Sequence, residues 1–469
     1  MHGVIVYVLG FTGLLALISV LPAVASRLRL PYAVVLAGVG LSLGVLIKLT
    51  PELPVSGPVT DYIKSLESLE LSSEALLYLF LPVLLFETAV AVPVRRLMDD
   101  IGPVLLMAVV AVFVCTVFIA YGLHLTSGMG WAACLLVGAL LATTDPGAVI
   151  GVFRDLGAPR RLTLLVEGES LLNDAAAIAL FSLLLTLLAY GGRLTVDGVA
   201  YTFLLSFTGA AALGWAMGRA ACVVAGWLDG RLAAEITLTV ALAYSAFAIG
   251  EHYFHVSGVV AVVAAALTVG STGRTRLSQA TWGAMEHVWG QLGFWANSMI
   301  FLLTALMAPR LFTDVTWGEI GLILVVAAAA LAARAVVVFG LLPVLSLAGL
   351  AQKVSLPYKA VMTWGGLRGA ISLTLALAVT ENTLIAPEVK RFVAVLAIGF
   401  VMLTLFVNGV TLRPLIGVLG LNRLSPVEAA MRGWAATGSS GRPPSSSTKA
   451  EDRVMALPLS ASVTGAIIG

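Results

Sequence analysis

The run Glu167-Gly-Glu-Ser-Leu-Leu-Asn-Asp174 sets three carboxylates and an amide inside a stretch that is otherwise membrane-apolar, from Leu162 to Leu188. Ionisable side chains at bilayer depth cost about 2.5–3.5 kcal/mol each on insertion scales, so a helix that carries several puts them to use. Ser170 and Asp174 are four residues apart and share one helix face, while Glu169 and Asn173 share the neighbouring one. A second polar group stands at Thr143-Thr-Asp-Pro-Gly147, and two isolated arginines, Arg334 and Arg368, lie in apolar surroundings. Carboxylate, hydroxyl and backbone carbonyl oxygens suit a hard cation such as sodium or lithium, and no softer ligand accompanies them to recruit a transition metal. A carboxylate that holds a cation also holds a proton. The chemistry on offer is competition between the two for one site.

The elements that must position these groups are membrane helices. The chain has 469 residues, 59% hydrophobic and 11% charged, with a mean hydropathy of +1.02. That composition excludes an ordinary soluble protein and describes an all-α polytopic membrane protein. The formal net charge is +2, and Lys and Arg punctuate the loops without forming a patch, so no nucleic-acid partner is expected. Cys115, Cys134 and Cys222 lie in apolar segments without metal-ligand spacing and read as small buried hydrophobes. No nucleotide-binding loop, kinase signature or enzyme motif is present, and no cofactor is expected. The first apolar run has no basic segment before it and reads as a span instead of a cleaved signal.

Windows of about 20 residues, the length that crosses the hydrocarbon layer, give spans at 4–25, 31–48, 73–92, 102–124, 130–152, 162–188, 199–221, 233–250, 256–271, 288–308, 318–345, 357–379 and 391–411. One set of alternate loops holds Arg27, Arg29, Arg95, Arg96, Arg154, Arg160, Arg161, Arg231, Arg274, Arg276, Lys353 and Lys359, and the other far fewer cations. The N-terminus is therefore expected outside and the C-terminus in the cytoplasm. The segment from 423 to 469 is rich in Gly, Ser and Pro and is expected to be a short disordered tail following a membrane domain at 1–422.

Two spans are interrupted. Pro146 and Gly147 should unwind the fifth span beside Thr143, Thr144 and Asp145, and Trp364-Gly-Gly-Leu-Arg-Gly369 should unwind the twelfth. With span seven (199–221) as a linker, residues 4–188 and 233–411 form two six-helix halves, each with its break in the fifth span; this is the sequence pointer to an inverted-repeat transporter. Half-helix ends then meet near the midplane, where Asp145 and Arg368 would offset the end charges. Arg334 needs a carboxylate partner, and Glu169 and Asp174 are the candidates.

Thr143-Thr-Asp-Pro146, Gly168-Glu-Ser-Leu-Leu-Asn-Asp174, Ala-Arg334 and Gly365-Gly-Leu-Arg-Gly-Ala370 resemble the monovalent cation/proton antiporters of the sodium/proton exchanger type, the branch with the Asn-Asp motif. Phe80-Leu-Pro-Val-Leu-Leu-Phe-Glu87 and Phe294-Trp-Ala-Asn-Ser-Met-Ile-Phe301 extend the resemblance, which runs in order over about residues 4 to 420. It implies about 13 transmembrane helices with two crossed discontinuous helices, a core that moves against a homodimerisation domain, and a plasma or inner membrane location. It also implies that Asp174 binds cation or proton, that Asp145, Thr144 and Ser170 help ligate the ion, and that Asn173 partners Asp174. Glu169 would pair with Arg334, and Arg368 would support the crossing. An amide at Asn173, where electrogenic relatives carry an aspartate, implies one-for-one electroneutral exchange.

Sodium is the expected cation, with lithium and potassium as alternatives, and a cation channel or sensor on the same scaffold is the competing class. Glu87 reads either as lining the cation path or as a carboxylate bonded within the bundle. Glu235 is expected to cap the eighth span, His252 and His255 to be solvated loop residues, and Glu167 has no assigned role.

Overall fold

The computed structural model describes residues 2–28, 30–49, 73–99, 101–147, 149–150, 153, 160–191, 195–228, 230–273, 278–311, 315–350 and 353–421. The expected disordered tail lies outside them. Nine helices among the described residues are long and apolar enough to cross a membrane, and four shorter apolar helices accompany them. Every span expected from hydropathy corresponds to one or two of these helices.

In chain order the helices are α1 His2–Leu28, α2 Tyr32–Leu49, α3 Ser73–Ala91, α4 Val94–Asp99, α5 Ile101–Ser127, α6 Trp131–Leu140, α7 Arg160–Tyr190 and α8 Val196–Trp227. They continue with α9 Leu232–His252, α10 Gly258–Thr272, α11 Gln279–Leu311 and α12 Trp317–Val336. A π-helical turn at Val337–Leu341 carries α12 on to Leu347. The last three are α13 Leu356–Trp364, α14 Ala370–Glu381 and α15 Pro387–Leu403, the last running through a second π turn, Thr404–Asn408, to Val418.

The packing divides into two groups. Helices α5, α6, α7, α12 and α15 belong to one group and α2, α3, α8, α9, α10 and α11 to the other, while α14 packs on α15 of the first and equally on α3 and α11 of the second. Small residues let the helices approach closely within the second group. A Cβ on Gly218 of α8 would lie 2.8 Å from the carbonyl oxygen of Ala265 on α10, and Gly214 one turn earlier is equally confined. Without a hydrophobic drive between helices in lipid, such close backbone packing is what holds them together. The seventh span is therefore seated firmly along α10.

Two sequence expectations are revised. Glu235 does stand in the first turn of α9, but it makes no cap bond: the N-cap is Arg231, and Glu235 is only 1% exposed. The tenth span was expected at 288–308, but α11 begins at Gln279, because Glu286 and His287 depress the hydropathy of its first turns without breaking the helix.

Candidate functional site

The two interrupted spans meet at one antiparallel bridge. α6 ends at Leu140, α13 ends at Trp364, and between the broken ends the amide of Asp145 donates to the carbonyl of Leu367 at 2.9 Å. Proline at 146 and glycines at 365, 366 and 369 supply what this crossing needs. A Cβ on Gly365 would collide with Val149, one on Gly366 would touch Arg334 at 3.4 Å, and one on Gly369 would stand 3.3 Å from Cβ of Asp145. The segments cross closely because those side chains are missing.

Each broken end is matched by charge. Arg368 is 3% exposed and donates to the Thr143 carbonyl at 2.8 Å, at the carbonyl end of α6 where the helix dipole is negative. Its other neighbours are the Cys115 sulfur at 3.7 Å and the face of Phe400, 5.5 Å from the guanidinium carbon. Cys115 is thus a buried side chain against a cation, and not only a small hydrophobe. Asp145 lies beside Gly369 at the amide end of α14, and its Oδ1 accepts the Gly147 amide at 2.9 Å. The Thr143 hydroxyl joins Ser372 on α14 at 2.6 Å.

The polar stripe of α7 divides between two jobs. Ser170 Oγ donates to the Thr144 carbonyl, and Ser170 and Asp174 both line a cavity of about 380 Å³. Asp174 also has one carboxylate oxygen, Oδ1, buried with no hydrogen-bond partner. Glu169, 2% exposed, is held by Arg334 through two bonds of 3.2 and 3.3 Å. Asn173 Nδ2 lies 3.4 Å from both Glu169 Oε1 and Thr144 Oγ1. Of the two sequence candidates, Glu169 is the partner of Arg334, and Asp174 is left facing the cavity.

The cavity is lined from both helix groups. Thr143, Thr144, Asp145, Ser170, Asp174 and Gly369 come from the group with the crossing; Leu84, Glu87, Thr88, Gly290, Gly293, Phe294 and Asn297 come from α3 and α11 of the other. Glu87 is half-buried, with only the Thr88 hydroxyl at 3.3 Å as a side-chain bond, and Gly293 makes room for it: a Cβ there would lie 2.8 Å from Glu87 Cγ. Of the two readings of Glu87, the cavity-lining one describes its position. Phe294 stacks on Tyr32, whose hydroxyl pairs with Ser298 at 2.9 Å, so the Phe294–Phe301 stretch also ties α11 to α2.

Among the described residues the cavity lining carries carboxylates, hydroxyls and an amide but no thiol and no imidazole, and one of its carboxylates, Asp174, has a buried oxygen lacking a donor. Such an oxygen is costly unless a proton or a cation meets it.

The model of the family described as sodium/hydrogen exchanger, transmembrane, matches residues 13–417. Among similar proteins, the Na(+)/H(+) antiporter ApNhaP of Aphanothece halophytica is 32% identical over 409 residues, covering 86% of this chain and 73% of that one. The Na(+)/H(+) antiporter NhaH of Halobacillus dabanensis is 31% identical, covering 87% of this chain and 96% of that one. Sodium/hydrogen exchanger 7 of Arabidopsis thaliana is 31% identical, and the match spans only 35% of its length. Among solved structures, the sodium proton antiporter MjNhaP1 of Methanocaldococcus jannaschii at pH 8 superposes with a TM-score of 0.68 at 18% identity, covering 89% of this chain and 100% of that one.

Proposed function

The chain belongs to the transmembrane sodium/hydrogen exchanger family, and we propose from its site how it exchanges sodium for protons across a membrane. The observation that carries the reading is Asp174 Oδ1: a carboxylate oxygen buried at the cavity wall with no donor, beside Ser170, Thr144 and Asp145. Sodium and a proton compete for that carboxylate. Asp145, the Ser170 hydroxyl and oxygens of Thr144 complete the cation's shell, and Asn173 aligns the site from behind. Lithium fits the same oxygen donors, and potassium is the alternative cargo.

Competition couples the two flows when the loaded carboxylate crosses readily and the bare one does not. The cavity lies between the two helix groups, so a displacement of one against the other exposes Asp174 first to one side and then to the other. Within the group that carries the crossing, Asp145, Glu169 and Asp174 are offset by Arg334 and Arg368, which leaves one net negative charge when all are ionised. One sodium ion or one proton cancels it. Both loaded forms then move without net charge, and the empty form pays the cost of a bare ion in low dielectric. The exchange is therefore one for one and electroneutral.

The loop-charge asymmetry supports an outside N-terminus and a cytoplasmic C-terminus, and the resemblance to sodium/proton exchangers supports residence in the cell or inner membrane. In that orientation the cavity draws on the last turns of α3 and the half of α11 nearer the cytoplasm, and faces inward. Residues 4–188 and 233–411 form the two repeats, with α8 between them. The apolar outer faces of α1 and α8, with Phe11, Leu204 and Trp215 exposed, support contact with lipid and with a second copy of the chain. The test is proton movement in proteoliposomes on addition of sodium, lithium or potassium in turn, comparing the parent with Asp174→Asn. Sodium-driven proton release in the parent alone supports this reading.

A further inference from the structure

The end of each broken helix leaves carbonyls that no amide of the same helix reaches, and side chains from elsewhere meet them. At α6 these are Arg368, on Thr143 O, and Ser170, on Thr144 O. At α13 the Gly365 amide turns back to Val361 O at 2.8 Å, Arg334 Nε donates to Met362 O at 3.2 Å, and Asn408 Nδ2 donates to Trp364 O at 2.9 Å. Arg368, Ser170 and Arg334 all belong to the site already described. Asn408 does not.

Its position depends on a local defect in α15. The π turn at Thr404–Asn408 inserts a residue into the helical repeat and turns the following side chains, and Asn408 closes that turn. Three residues on, the Thr411 hydroxyl accepts the Trp364 indole at 2.9 Å, so α15 grips Trp364 by both backbone and side chain. Behind this contact lies a second cavity, of about 200 Å³, walled by Arg334, Trp364, Arg368, Phe400, Thr404 and Asn408. Packing is therefore open where α13 ends. Further along the chain the Gly365 carbonyl accepts the Leu367 amide at 2.7 Å, and the Leu367 carbonyl holds Asp145.

We propose that Asn408 is a positioning residue for cation binding, fixing the broken end of α13 and through it the Leu367 carbonyl that holds Asp145. The proposal rests on reading the Asp174 cavity as the cation site. Asn408→Asp keeps the shape of the side chain but replaces the donor by an acceptor facing Trp364 O. Loss of a buried hydrogen bond of this kind is expected to raise the sodium concentration for half-maximal proton exchange about tenfold. Thr411→Val, which removes the indole's acceptor and the hydroxyl's bond to the Val407 carbonyl but leaves the Trp364 carbonyl its donor, is expected to shift it less than about twofold. If Asn408→Asp does not fold, Asn408→Ala carries the same prediction at about threefold.

The measurement is a sodium titration of exchange in proteoliposomes, made on protein that elutes as folded material. Half-saturation unchanged in the Asn408 variants, or an effect confined to yield or maximal rate, overturns the proposal. Absence of sodium-dependent proton movement in the parent protein overturns instead the cation-site reading beneath it.

Discussion

The amide of Asp145 and the carbonyl of Leu367 are joined at 2.9 Å, and this one bridge registers two helix interruptions more than two hundred residues apart in the chain. It sets Asp145 at the amide end of α14. It also sets Arg368, the residue after Leu367, against the Thr143 carbonyl at the end of α6. An acid and a base thus each meet the helix end of opposite sign, as half-helix dipoles require. The site is built around a crossing whose own charges are internally balanced, and Asp174 faces the cavity from α7.

Arg334→Ala should be severely destabilising. It leaves Glu169, 2% exposed, as a buried carboxylate without its cation, which costs about 3–5 kcal/mol. Replacing both partners, Arg334→Met with Glu169→Gln, should recover most of that loss. Thermal melting of detergent-purified protein checks it, with the double variant expected closer to the parent than the single one.

Gly365→Ala and Gly293→Ala separate two kinds of close contact. At 365 the new methyl meets Val149 and the Val361 carbonyl inside the crossing, so loss of both folding yield and exchange is expected, with partial return on adding Val149→Ala. At 293 it meets the side chain of Glu87, which can swing into the cavity. That variant should fold normally and show altered sodium dependence.

Glu87→Gln should raise the half-saturating sodium concentration several-fold, while leaving exchange in place. Glu87 adds negative charge to the cavity from the opposite helix group, and charge in a low-dielectric cleft concentrates cations there. A sodium titration of exchange reads the shift directly.

Much of this was legible in the sequence. Asp-Pro-Gly at 145–147 and the glycines around Arg368 located both breaks, because proline and glycine act on the backbone locally. Hydropathy located the spans for the same reason. What could not be read were partnerships set by tertiary packing. Nothing near Arg334 distinguishes Glu169 from Asp174 as its acceptor, since both sit on α7 within five residues. Glu87 gave two equal readings until α11 placed Gly293 against it. Asn408 carried no signal at all, because a π turn has no sequence signature and its carbonyl partner lies 44 residues away.

The proposed electroneutrality rests on the charge balance around the crossing and has its own test. With a pH gradient held constant, imposing a membrane potential of either sign on proteoliposomes should leave the exchange rate unchanged. A rate that follows the potential would mean that a further charge travels with the group.

Sodium and protons are proposed to share Asp174. The most direct measurement is sodium-dependent proton movement in proteoliposomes carrying the parent or Asp174→Asn, with folding of both verified by their elution and melting behaviour. Robust exchange is expected in the parent and none above protein-free vesicles in the variant. Exchange at the parent's rate in Asp174→Asn would contradict it.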